Sequence, residues 1–171
     1  MSDPLQATLR IGASGLQAQS LRHAEAFHAR ALQFSVEIAP LARVAVPFVP
    51  DTNLLCLALN PAGNSDPVRA AALVASVHAA LSCDPALPVQ RNEFFGSTTT
   101  LHAGLVGRDT MDAIYATLGL LRGGSDDALP VLRHTLMNPW LIDHENGISY
   151  IERYFQHLGQ LIAAACAATA A

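Results

Sequence analysis

Lysine is missing altogether: all ten basic residues among the 171 are arginine. That excludes from this polypeptide any chemistry run through a lysine Schiff base or a lysine general base, and any P-loop lysine. Charge of both signs is sparse, at 14%. Ten arginines against 14 acidic residues leave a net charge of −4, which argues against the phosphate attraction behind most nucleic-acid binding. The three cysteines, Cys56, Cys83 and Cys166, are odd in number and far apart, so neither a disulfide framework nor a CxxC metal site fits. A reduced, cytoplasmic compartment is the expectation. The Ala-rich stretch from Leu161 to Ala171 falls short of the roughly 20 residues a bilayer crossing takes. Met1-Ser2-Asp3-Pro4 also lacks the basic-then-apolar layout of a signal peptide. A soluble chain with no membrane or nucleic-acid partner is expected.

What is abundant is apolar: 51% of the residues, enough for one domain over 1–171 with its own core. Leu21, Ala24, Phe27, Ala31, Phe34 and Ile38 recur at spacings of three and four, predicting a helix with one apolar stripe. It begins near Ser14, after the turn bracketed by Gly12 and Gly15, and Pro40 closes it. Val44–Phe48 alternates weakly as a strand. Leu54-Leu55-Cys56-Leu57-Ala58-Leu59, stopped by Asn60-Pro61, reads as a strand buried on both faces. Ser65-Asp66-Pro67 starts a helix to about Leu81, with Ser65 as cap. Its stripe is Val68, Ala71, Ala72, Ala75 and Ala79, widened by Leu73 and Val77. Residues 94–101 read as a strand with a bend at Gly96, 109–122 as a helix, and 123–127 as a loop. Leu129–Met137 reads as a strand, and a last helix runs from about Asn146 to Cys166, with Ile148, Ile151, Phe155, Leu158, Ile162 and Ala165 on one face.

Strands separated by helices also occur in doubly wound parallel sheets, but there are few strands and no glycine-rich strand-to-helix turn of the dinucleotide type. The expected class is α+β: a small, mostly antiparallel sheet covered on one face by helices, with the long first and last helices packed together.

Seven histidines invite a metal reading, yet His23 and His28 are five apart and diverge on a helix, and HExxH is absent. Ser97 follows a glycine without a GxSxG elbow. Cys56 sits inside an apolar run, where a thiol behaves as a small hydrophobe. Asp126-Asp127 lies in a glycine loop and reads as solvated surface. No catalytic or metal residue is assigned. Arg133 differs, because it interrupts an otherwise apolar strand. Either it sits on a solvent-facing side, or its guanidinium grips a carboxylate with two parallel hydrogen bonds.

Leu129–Pro139, LPVLRHTLMNP, resembles the last small-domain strand of the group II pyridoxal-phosphate-dependent amino-acid decarboxylases, which include glutamate, aromatic amino-acid, tyrosine and aspartate decarboxylases. Asp51-Thr52-Asn53-Leu54-Leu55-Cys56 looks like the family's Thr-Asn-(apolar)-Cys strand. Phe95-Gly96-Ser97-Thr98-Thr99 is similar to the strand near its active-site mouth. Gly12-Ala13-Ser14-Gly15-Leu16 resembles the turn that opens its interdomain helix, and residues 151–160 its closing helix. The five matches stand in family order and cover nearly the whole chain.

The resemblance implies a fold like the C-terminal small domain of fold-type I pyridoxal-phosphate enzymes, with 1–40 an interdomain-type helix and 41–171 a small α/β domain. The family's large domain, which holds pyridoxal phosphate through a lysine, is absent from this sequence, so this chain alone is expected to bind no cofactor and to be inactive. In the family the strand arginine faces the substrate carboxylate, which assigns Arg133 to substrate binding. Phe95, Gly96, Ser97 and Thr98 would border the active-site mouth. The expected partners are the large domain, an amino-acid substrate, and further copies of the chain through an exposed apolar patch. The alternative is a standalone, non-catalytic domain serving assembly or small-molecule binding.

Overall fold

The apolar run at 54–59 becomes the centre of the molecule. In the computed structural model, which describes residues 15–82, 93–122 and 128–170, it lies in a strand buried along six consecutive positions. In chain order the elements are helix Leu16–Glu37 (α1), strands Ala42–Ala45 (β1) and Leu54–Pro61 (β2), and helix Pro67–Ala80 (α2). Strand Ser97–His102 (β3), helices Ala103–Val106 (α3) and Arg108–Leu118 (α4), and strand Ala128–Thr135 (β4) follow. A short hairpin of Ile142–Asp143 (β5) and Ile148–Ser149 (β6) leads into helix Tyr150–Ala170 (α5). The main sheet has the order β1-β2-β4-β3 with every neighbouring pair antiparallel. The class is α+β, a small antiparallel sheet covered by helices.

Helices cover both faces of that sheet, where the sequence predicts cover on one. The reason lies in the alternation of β2. Leu55, Leu57 and Leu59 point into a core shared with α1, α2 and α5. Cys56 and Ala58 point the other way, into a second core with Met111, Ile114, Tyr115 and Leu118 of α4. Their small side chains let α4 approach that face. In β4, Leu132 serves the first core and Leu129 and Val131 the second. The first and last helices do pack together: the Phe155 ring lies 4.8 Å from Phe27 and 5.2 Å from Phe34. Arg30 Nε donates to Glu152 Oε2 at 2.8 Å across the same seam.

Several predicted boundaries move, each for a local reason. The weak strand at 44–48 is instead Ala42–Ala45. In α1 the stripe holds from Ala24 to Ile38, but Leu21 is 40% exposed and His23 only 5%. In α2 the cap is Asp66 rather than Ser65, its carboxylate accepting from the Val68 N–H at 2.9 Å. The buried face of α2 is Ala70, Leu73, Val74 and Val77, while Val68 is exposed. Alanines fix no face of a helix; the larger side chains, with more apolar area to remove from water, decide it. Helix α4 stops at Leu118, ahead of the predicted 122, because Gly119 takes the left-handed φ of +69° that closes a helix. Strand β4 ends at Thr135 rather than Met137, and the last helix starts at Tyr150, after the β5–β6 hairpin, rather than at Asn146. The predicted loop at 123–127 lies outside the described residues.

Candidate functional site

The site forms where β4 outruns β3. Strand β3 begins at Ser97, opposite Arg133, so His134 and Thr135 have no β3 partner on that side. Residues 94–96 precede the strand rather than extend it, contrary to the reading of 94–101. Gly96 packs against α2's end instead, its N–H donating to the Leu81 carbonyl at 3.0 Å. A Cβ on Gly96 would stand 3.0 Å from Leu81 Cβ and Cδ1, so only glycine lets the chain pass there undisturbed. This detour opens a cavity of about 350 Å³ between β4, residues 94–97, α1 and α5.

Its rim and floor differ. At the rim stand Arg133 and Ser97, with Phe95 at 50% and Tyr150 at 36% exposure. The floor is buried: Phe27, His134, Leu136, Ile151 and Tyr154. Phe94 completes one wall, its ring edge-on to Tyr154 at 5.5 Å.

Arg133 is exposed on the face of the sheet shared with Cys56, beyond the cover of α4. Its Nε donates to Ser97 Oγ at 3.3 Å, and that hydroxyl donates to the Arg133 carbonyl at 3.0 Å. Among the described residues no carboxylate lies within ion-pair distance of its guanidinium, whereas Arg30, Arg122 and Arg153 each have one. The terminal fork is therefore held by its stem and open at its tip. Burial pushes the Cys56 thiol up, and the Arg133 charge opposes this only in part.

On the opposite face of β4, His134 is buried and its Nε2 is hydrogen-bonded to the Tyr154 hydroxyl. Desolvation lowers the imidazole to about 4, the Leu55 backbone opposing this only in part. Among the described residues Nδ1 has no partner at hydrogen-bonding geometry. Burial also raises the Tyr154 hydroxyl, so both members are neutral at pH 7. Arg133 is then the one charged residue among the described residues that border the cavity.

Of the residues singled out from the sequence, Arg133, Phe95, Gly96 and Ser97 meet at this cavity. Thr98 does not line it: it pairs with Leu132, one step further along β3 and away from the end where β4 is left without a β3 partner. The sequence reading missed His134 and Tyr154. The signal available for them was a polar residue on an inward position of β4 and a tyrosine beside Phe155 on the buried stripe of α5. His23, also buried, has Nδ1 3.3 Å from the Asn138 carbonyl, and burial lowers its pKa. No group of three or more His, Cys, Asp or Glu is placed to hold a metal among the described residues. No helix among them is long and apolar enough to cross a membrane.

Exposed apolar side chains stand at this end of the sheet. Leu54 is 42% exposed opposite Thr135, and Leu21 and Met137 flank a second depression with Asp51, Thr52 and Asn53. No protein-family model matches the chain, and no curated protein matches it.

Proposed function

We propose that this chain is the small C-terminal domain of a pyridoxal-phosphate-dependent amino-acid decarboxylase, and that Arg133 anchors the substrate carboxylate where the large domain meets it. The carrying observation is the guanidinium itself, tethered by Nε to Ser97 and without a carboxylate partner among the described residues. A planar fork fixed at its stem loses little freedom when a carboxylate takes its two outer N–H groups. The sequence resemblance, in family order from Gly12 to Gln160, supports the same assignment, as does the α+β architecture.

The cofactor itself does not fit this chain. With no lysine in the sequence there is no residue to bond pyridoxal phosphate, and its binding falls to the large domain. What these residues supply is orientation and shelter. Arg133 sets the direction of the carboxylate, and the apolar walls around it exclude water from the junction. The exposed side chains Phe95, Leu54, Leu21 and Met137 form the face that docks.

The test is reconstitution. The 171-residue chain, mixed with a separately produced large domain and pyridoxal phosphate, is expected to restore release of carbon dioxide from an amino acid, and neither part alone to do so. In the restored enzyme Arg133→Gln is expected to raise KM at least tenfold, the loss of a charge-assisted pair of hydrogen bonds being worth roughly 1.5–3 kcal/mol. A large domain equally active with and without this chain would defeat the proposal.

A further inference from the structure

Beyond a carboxylate anchor, the cavity has a character of its own. Among the described residues that line it, the single cation stands at the rim, and those beneath it are apolar or neutral. Phe27, Phe94 and Tyr154 line the space and form a connected ring cluster, with Phe27 and Phe94 each 5.5 Å from Tyr154. Aromatic walls at such separations accept a further ring in the edge-on or offset manner. The volume of about 350 Å³ lies at the small end of ligand cavities, which run roughly 300–1,000 Å³.

We infer that this cavity holds the ring of a small aromatic carboxylate, with the carboxylate at Arg133 on the rim and the arene on the floor formed by Phe27 and Tyr154. The inference rests on the reading of Arg133 given above and deepens it: side-chain selection, for an aromatic side chain, resides in this chain. An aliphatic dicarboxylate fits poorly. With its first carboxylate on Arg133, its second would enter a wall that offers no cation among the described residues, and a buried unpaired charge is costly. His134 does not supply that cation, because burial keeps its ring neutral, with a pKa of about 4. A simple alkyl carboxylate satisfies Arg133 but forgoes the ring contacts.

The isolated 171-residue chain tests this without the large domain or cofactor. The probes are 3-phenylpropanoate, glutarate, hexanoate and 3-phenylpropanol, titrated while the Arg133 Nε–H and the ring protons of Phe94 and Tyr154 are followed by NMR. 3-Phenylpropanoate is expected to bind at least tenfold more tightly than each of the other three, with through-space contacts between its ring and Tyr154. Arg133→Gln, at an exposed position, is expected to reduce its affinity to that of 3-phenylpropanol. Phe94→Leu, which keeps an apolar wall, is expected to weaken 3-phenylpropanoate several-fold and leave hexanoate unchanged. Glutarate binding as tightly as 3-phenylpropanoate, with the affinity lost in Arg133→Gln, would overturn the aromatic assignment and leave the carboxylate anchor standing. Binding of 3-phenylpropanoate that ignores both substitutions, or no binding by any probe, would also overturn the inference, whatever the reconstitution shows.

Discussion

Acidification from about pH 7.5 to about pH 5 is expected to weaken the fold through His134, by an amount that follows from linkage. The imidazole has a pKa of about 4 in the folded chain against 6.5 when exposed. Between those values the unfolded chain binds the extra proton and the folded chain refuses it, so the stability associated with the neutral ring is complete above 6.5 and drains away as pH falls towards 4. At about 1.4 kcal/mol per pH unit the whole gap amounts to about 3 kcal/mol, of which about 2 kcal/mol is gone by pH 5. The ring is fully buried, so solvent screening takes little from this figure. Urea unfolding at the two pH values gives the loss for the natural chain. His134→Gln supplies the comparison: glutamine keeps a hydrogen-bonding group near the Tyr154 hydroxyl but does not titrate. Its loss over the same interval should be smaller by about 2 kcal/mol. His23, whose pKa burial also lowers, contributes equally to both chains and cancels in the difference. Identical pH dependence in the two would refute the reasoning, because it would mean that the histidine accepts its proton without disturbing the core.

Asn60, fully buried at the end of β2, donates to the Asn64 and Leu118 carbonyls at 2.8 Å each and accepts from Asn64 Nδ2 at 2.7 Å. Asn60→Ala should cost about 1–3 kcal/mol in denaturant unfolding; the Leu118 carbonyl keeps a bond from Arg43 Nη1, which argues for the lower half of that range. A stability equal to the parent's would show that the hub is dispensable. Gly96→Ala presses a Cβ to 3.0 Å from Leu81 Cβ, an atom that moves only with its backbone, so a loss of about 1–3 kcal/mol is expected. The same change should shift the NMR signals of Phe95 and Ser97, whose positions depend on the detour, and unmoved signals would count against that dependence.

The parts of the fold legible in the sequence are those where large apolar side chains recur without ambiguity. Phe27, Ala31 and Phe34 in α1, and Ile151, Phe155, Leu158 and Ile162 in α5, declare their faces by spacing alone. The six apolar residues of β2, bounded by turn residues, suit a strand buried on both faces, although their periodicity alone does not decide between strand and buried helix. The alanine-rich α2 was misread because alanine marks no face. The second helical layer was hidden because the short side chains of Cys56 and Ala58 announce a close approach only when the partner, α4, is known. At the site, Arg133 was visible as a charge interrupting an apolar strand. The His134–Tyr154 pair joins residues 20 apart on different elements, a contact that no local spacing encodes.

The geometry of β4 explains why an exposed guanidinium and an apolar cavity come together at one place. Leu129, Val131 and Arg133 share one face of the strand, and α4 covers the first two and not the third. A guanidinium cannot enter a dry core without a partner, so the end of that helical cover makes position 133 tolerable, and Ser97 then aims it. Leu132, His134 and Leu136 continue along the other face towards α1 and α5. A leucine at 134 would extend that apolar row with no titratable group to desolvate. Histidine instead sets a neutral polar atom beneath the cavity, bonded to Tyr154 and charged only in acid. The cavity floor thus stays uncharged at pH 7 while Arg133 stands at its rim, and this contrast falls across β4 within one residue step, from Arg133 to His134.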